Sequence, residues 1–153
     1  MNSAAYVLYA LMAGGLLAVI AMDPIRVRAI RRLAEKLSMS YCSDVSAFPE
    51  VSLTGTELEG ATLAWNVISG VRNGINVVAF DCRIGKGKGS WRRTVIAAET
   101  EHNVFGGAAF LPELTVATSG KWKLLYRQRE LEFLARGLMP VKELEAHIES
   151  IKP

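Results

Sequence analysis

Only two cysteines and two histidines occur among the 153 residues. Cys42 and Cys82 belong to no Cys-x-x-Cys pair, so the chain carries neither a zinc motif nor a disulfide framework. Charged residues make up 22% and hydrophobic residues 50%, which excludes an intrinsically disordered chain. Composition also excludes a solenoid and collagen, and the length permits one membrane segment and one small domain, with no room for a second domain. A nucleotide fingerprint is also missing. Gly85 to Gly89 superficially resembles a phosphate loop, but the residues that follow, Trp91 to Ile96, read as a strand and not a helix. Lys88-Gly89-Ser90 has the wrong order for the Gly-Lys-Ser/Thr ending of such a loop, and no cofactor is expected.

Charge is absent from one stretch altogether. Ala4 to Met22 is a 19-residue run in which only Gly14 and Gly15 are not hydrophobic. As a helix it extends about 28 Å, close to the roughly 30 Å hydrocarbon thickness of a bilayer. Tyr6 and Tyr9 lie near its start, where amphipathic rings favour the headgroup boundary, and Asp23-Pro24 closes it. Residues 23–36 hold Arg26, Arg28, Arg31, Arg32 and Lys36 against Asp23 and Glu35, a net +3. The positive-inside bias then predicts a single-pass anchor over 1–23 in a cell inner membrane, N-terminus outside and the rest cytoplasmic. A cleaved signal peptide is the competing reading, since Val19-Ile20-Ala21 resembles a cleavage site. Against it, no Lys or Arg precedes the run, and the run exceeds the roughly 7–15 residues of a signal core. A helix buried in a soluble core would be apolar all round, and so small a domain is poorly able to surround it. Ala10, Gly14 and Ala18 recur every four residues as a stripe of small side chains, compatible with homo-oligomerisation in lipid or with chance in an Ala-rich segment.

Residues 24–37 read as a basic amphipathic juxtamembrane helix, with Ile25, Ala29, Ile30, Leu33, Ala34 and Leu37 recurring at three and four residues. Its Arg26, Arg28, Arg31 and Arg32 are placed to face anionic lipid headgroups, or to be solvated while fixing topology. Residues 38–153 form the cytoplasmic domain. Ser38 to Cys42 is a short first strand, and Ser43 to Glu59 a polar, turn-rich connection. From Leu63 the period changes to two, Arg72-Asn73-Gly74 signals a hairpin, Ile75 to Ile84 is a strand, and Trp91 to Glu99 returns after a glycine-rich turn. Leu114 to Thr118 and Trp122 to Arg127 add strands, Glu130 to Ala135 reads as another, and Pro140 opens a final helix with Val141, Leu144, Ile148 and Ile151 as its stripe. The expected fold class is α+β, an antiparallel β-meander with helices covering one face.

Asn66-Val67-Ile68-Ser69-Gly70, then Val78-Ala79-Phe80-Asp81, then Gly85-Lys86-Gly87 resembles a pattern in uncharacterised bacterial single-span membrane proteins, over about residues 25–100 and again at Pro140 to Leu144. Cys82 stands where an aromatic is usual in that pattern, and the hairpin turn is shorter. The resemblance implies an inner-membrane anchor with a cytoplasmic domain, and it carries no catalytic residues with it.

Charge divides the domain. Arg83, Lys86, Lys88, Arg92 and Arg93 give residues 83–93 a net +5 with no acid, whereas residues 38–71 carry −4 with no base. This basic hairpin with Trp91 is the expected contact surface, toward anionic lipid or another membrane protein, with single-stranded nucleic acid the least favoured partner. A solvated hairpin whose lysines discourage edge pairing is the alternative. Asp81, in an apolar strand, needs a partner if it points inward, with Arg83 and Arg93 as candidates. His102 falls in a loop and His147 on the outer face of the last helix, while Glu99, Glu101 and His102 read as an acidic loop more readily than as a cation site. The leading expectation is a non-enzymatic membrane-anchored binding or scaffold module. The alternatives are an enzyme at the membrane surface, with a pocket lined by Asp81, His102 or Cys82, and an anionic-lipid-binding module.

Overall fold

The computed structural model describes residues 24–43, 49–85, 91–128 and 138–152. The apolar run, its Ala10, Gly14 and Ala18 stripe, Lys86 and Lys88, and the strand expected at Glu130 to Ala135 lie outside the described residues. Among the described residues no helix is long and apolar enough to cross a membrane.

The fold is α+β. Helix α1 (24–36) is followed by strands β1 (Ser40–Cys42), β2 (Ala61–Arg72), β3 (Ile75–Ile84), β4 (Trp91–Glu99), β5 (Leu114–Ser119) and β6 (Trp122–Arg127), then helix α2 (Val141–Ser150). A short 3-10 turn, Gly106–Phe110, occupies the connection after β4. All strand pairs are antiparallel, in the order β1-β2-β3-β4-β6-β5. The sequential meander therefore holds through β4, and the final hairpin then docks its second strand, not its first, against β4.

Local chemistry accounts for the turns. Asn73 and Gly74 both have positive φ, 51° and 82°, as a two-residue type I′ hairpin requires, and only residues tolerant of the left-handed region take it cheaply. Pro24 supplies the first residue of α1, where its missing N–H is no loss. α1 ends in a Schellman turn, Met39 N donating to Ala34 O at 2.8 Å and Ser38 N to Glu35 O at 3.1 Å, with Ser38 at φ 54° where glycine is usual. The C-terminus of α2 is met by Asn73, whose Nδ2 donates to Ile151 O at 2.7 Å.

Both faces of the sheet are covered, and by different things. On one face Ile30, Leu33 and Ala34 of α1 and Leu144 and Ile148 of α2 pack on Ile68, Val77, Ala79 and Ile96. On the other, Val51, Leu53 and Leu58 from the connection before β2 close over Phe80, Cys82, Val95 and Leu124. The turn-rich stretch that reads as a loop is thus a cover for the second face. Its consequence is visible in β3 and β4, where alternation gives way to nearly unbroken burial, as expected of strands enclosed on both sides.

α1 runs along the sheet with a definite polarity. Arg26 sits over Asp81, three residues from the end of β3, while Met39 presses on Gly70, near the Asn73-Gly74 turn at the opposite end. The chain therefore begins α1 at the end of the sheet where residue 85 leads out of β3 and Trp91 begins β4.

Candidate functional site

Strand β2 carries an irregularity between Trp65 and Ile68, so that Asn66 and Val67 together oppose Phe80. Asn66 takes φ 52°, a left-handed conformation that asparagine tolerates better than other non-glycine residues. The bulge turns its side chain inward, and its Nδ2 donates to Asp81 Oδ2 at 3.0 Å. Asp81 is fully buried. Its partner is Arg26, 55 residues upstream, and not the Arg83 or Arg93 of its own hairpin. Arg26 Nε donates to Oδ2 at 2.8 Å and Nη2 to Oδ1 at 2.7 Å, the two-pronged geometry that suits guanidinium and carboxylate.

The network extends in both directions. Thr94 Oγ1 donates to Asp81 Oδ1 at 2.7 Å and accepts from Arg26 Nη2 at 2.8 Å and from the Met139 N–H at 2.9 Å. Arg26 Nη1 donates to Met139 O at 2.8 Å. Tyr41 Oη donates to Asn66 Oδ1 at 3.1 Å, and Arg31 lies over the Tyr41 ring at 5.3 Å. Burial raises the Tyr41 hydroxyl's pKa, and the Arg31 charge opposes that rise. One cluster thus joins α1, β1, β2, β3, β4 and the segment leading into α2. Asp81 already accepts four hydrogen bonds, which fills the lone pairs of a carboxylate. Nothing remains with which to take a proton from a substrate, so its chemistry here is cohesion.

The four arginines expected to face lipid headgroups therefore divide. Arg28, Arg31 and Arg32 are exposed, whereas the Arg26 side chain is only 14% exposed and turned to the sheet. The basic hairpin divides too. Arg92 is exposed, Arg83 and Trp91 are half-buried, and Arg93 is fully buried, stacked on Trp91 at 4.3 Å. Arg93 is thus no surface contact. It lies on the face covered by residues 49–60, beside Cys82, because β4 is enclosed on both sides. Two residues not foreseen as part of this end join it. Trp65 lies under the Arg92 guanidinium at 5.9 Å, and Leu63 is 40% exposed directly opposite Arg83.

The two thiols are unlike. Cys82 is buried and its pKa is pushed up to about 12, first by burial and then by the neighbouring Asp81 charge, with Arg93 opposing. Cys42, by contrast, is exposed. His102 is exposed, and Glu99 holds Lys121 Nζ at 2.6 Å and Asn76 Nδ2 at 2.9 Å, contacts that lower its pKa. Among the described residues no group of three metal-ligating side chains comes together. Among the described residues, a shallow pocket of about 460 Å³ runs along Pro24, Val27, Arg28 and Arg31, and another of about 240 Å³ lies between the Gly106–Phe110 turn and His147. Neither contains Asp81, Cys82 or His102.

His147 is not on the outer face of α2. Its side chain is 13% exposed, with Glu143 Oε1 3.8 Å from Nε2, and Glu143 in turn accepts from Arg127 at 2.6 Å. Burial lowers its pKa below the ordinary 6.5, with Glu143 opposing and Arg127 reinforcing the shift. The unfolded chain then takes up the proton first as pH falls, so this contribution to stability is intact above about pH 6.5 and declines below it. Urea midpoints should fall between about pH 7.5 and about pH 5.5 more steeply in the parent than in His147→Gln. Equal slopes in the two proteins would contradict this assignment.

Compared with known proteins, the chain matches no family model, no curated sequence and no solved structure.

Proposed function

We infer that the chain is a membrane-anchored binding module, its N-terminal apolar run spanning a bacterial inner membrane and its α+β domain standing in the cytoplasm with the basic sheet end as contact surface. The observation that carries this reading is a coincidence of position. α1 begins at Pro24 over the same sheet end that bears Arg83, Trp91 and Arg92, so the apolar run joins the fold beside the basic surface. Three arginines exposed on α1, Arg28, Arg31 and Arg32, add positive charge close to that junction, the side on which the positive-inside bias retains a domain.

The buried Arg26–Asp81 pair supports the scaffold aspect of the reading. It lies in the first turn of α1, so the segment leaving the membrane is fixed to β3 and β4 and does not swing on a free linker. The saturated Asp81 carboxylate and the buried, protonated Cys82 thiol count against the two groups that an enzymatic reading would use first.

The test is extraction and topology of the full chain. Membranes carrying it, washed with alkaline carbonate, should keep the protein in the pellet, and a reporter fused after Pro153 should be active in the cytoplasm. Release into the wash, or a reporter active only in the periplasm, would overturn the reading.

A further inference from the structure

The two edges of the sheet differ. β1 is three residues long, and Arg31 of α1 lies over its Tyr41 ring. β5 is six residues, Leu-Thr-Val-Ala-Thr-Ser, without the charge, proline or bulge by which exposed edges usually avoid pairing. Its register shows which backbone groups are left over. Gln128 N donates to Glu113 O at 3.0 Å, which makes Leu114 and Arg127 a non-hydrogen-bonded pair in the ladder with β6. Alternation then turns the backbone groups of Thr115, Ala117 and Ser119 toward β6 and those of Val116 and Thr118 outward. Among the described residues no backbone group bonds Val116 or Thr118 on that side. Leu114 also faces outward, but its N–H is already given to Leu111 O at 3.0 Å. Thr118 is exposed, and Thr115, Val116 and Ala117 are half-buried.

This edge matches its own reverse. An antiparallel copy with Ala117 opposite Ala117 on a two-fold axis sets Val116 against Thr118 of the copy, and every outward N–H and C=O of those residues finds a partner. Putting Val116 on the axis instead leaves the Thr118 carbonyl against Leu114, whose N–H is taken. Charge agrees with the first register. It carries Glu113 alongside the turn of the copy that holds Lys121, and Lys121 Nζ keeps donors beyond the one given to Glu99. No like charges meet across the strands, because β5 has none. A foreign strand would satisfy the same backbone groups, but the self-matching selects a second copy of this chain.

We propose that β5 is a homodimerisation edge, pairing antiparallel with β5 of a second copy about a two-fold axis at Ala117, so that the two sheets run on as one. The proposal goes beyond the membrane-anchored reading and does not depend on it.

Residues opposed in a non-hydrogen-bonded pair lie about 4.5 Å apart at Cα, within disulfide range, whereas Thr115 and its copy are displaced by about four positions, or about 13 Å. Cys42 is the exposed thiol and Cys82 is buried, so Cys42→Ser is the background. In the full chain in mild detergent, Ala117→Cys should give a disulfide-linked dimer on oxidation with copper phenanthroline, and Thr115→Cys should not. Thr118→Pro removes only an outward N–H, which an edge strand tolerates, and should cut the Ala117→Cys cross-link about tenfold. Thr118→Lys keeps the backbone intact, adds an edge lysine and should lower the yield in the same direction. No dimer at Ala117→Cys overturns the proposal and leaves the edge to a foreign strand. An equal yield at Thr115→Cys, or a yield unmoved by both Thr118 variants, overturns it as well.

Discussion

Asp81→Ala is expected to cost about 3–5 kcal/mol, a large part of the roughly 5–15 kcal/mol that holds a domain of this size together. The reason is asymmetry. The carboxylate is fully buried and the Arg26 side chain only 14% exposed, so deleting the acid strands a guanidinium away from water, along with the Asn66 amide and the Thr94 hydroxyl. Urea unfolding of the full chain in mild detergent reads the loss directly. Hydrogen exchange locates it, because α1 amides should lose protection before those of β6, on the far side of β4. Arg26→Met combined with Asp81→Leu should recover part of the loss, since neither charge is then left alone, while Asn66 and Thr94 still lack their acceptor. A loss below about 1 kcal/mol for Asp81→Ala would mean that the pair is solvated and the account of α1 docking is wrong.

The second large effect belongs to the adjacent residue. Phe80 points to the opposite face from Asp81 and is buried at 1% exposure among Val95, Leu124 and Leu58. Phe80→Ala should cost about 3–5 kcal/mol through lost burial and the cavity left behind. The exposed Val71 provides the contrast, since Val71→Ala should change stability by no more than about 0.5 kcal/mol. The two predictions differ in mechanism, and calorimetry of the same variants distinguishes them. Loss of apolar burial should lower the heat capacity change of unfolding in Phe80→Ala, and loss of a polar network should not. An unaltered unfolding midpoint in Phe80→Ala would show that residues 49–60 do not cover that face.

The two residues also show why patterns along the chain reach only so far. Period two separates Phe80 from Asp81, and that much was readable. Which face is apolar was not, because β3 and β4 are enclosed on both sides and Phe80, Asp81 and Cys82 are all buried in succession. Local spacing offered Arg83 and Arg93 as partners for Asp81, each within reach along or across the hairpin. The bulge at Asn66 and the path of α1 supplied Arg26 instead, and Arg93 went to the other core. Lys36 with Glu145 and Asn73 with Ile151 are pairings of the same kind, joining segments that no local rule relates.

Sequence alone determined the kinds of element and much of their extent: an amphipathic helix after the apolar run, a hairpin turn at Arg72-Asn73-Gly74, the antiparallel strands, and a closing helix from Pro140. These follow from periodicity and turn chemistry, which act over a few residues. Tertiary structure decided which charged groups are inside, that the polar stretch before β2 is a lid on the second core, and that α1 begins over the end of the sheet that carries Arg83 and Arg92. Those outcomes depend on contacts tens of residues apart, where the cost of burying a charge selects whichever partner the packed chain brings within hydrogen-bond distance.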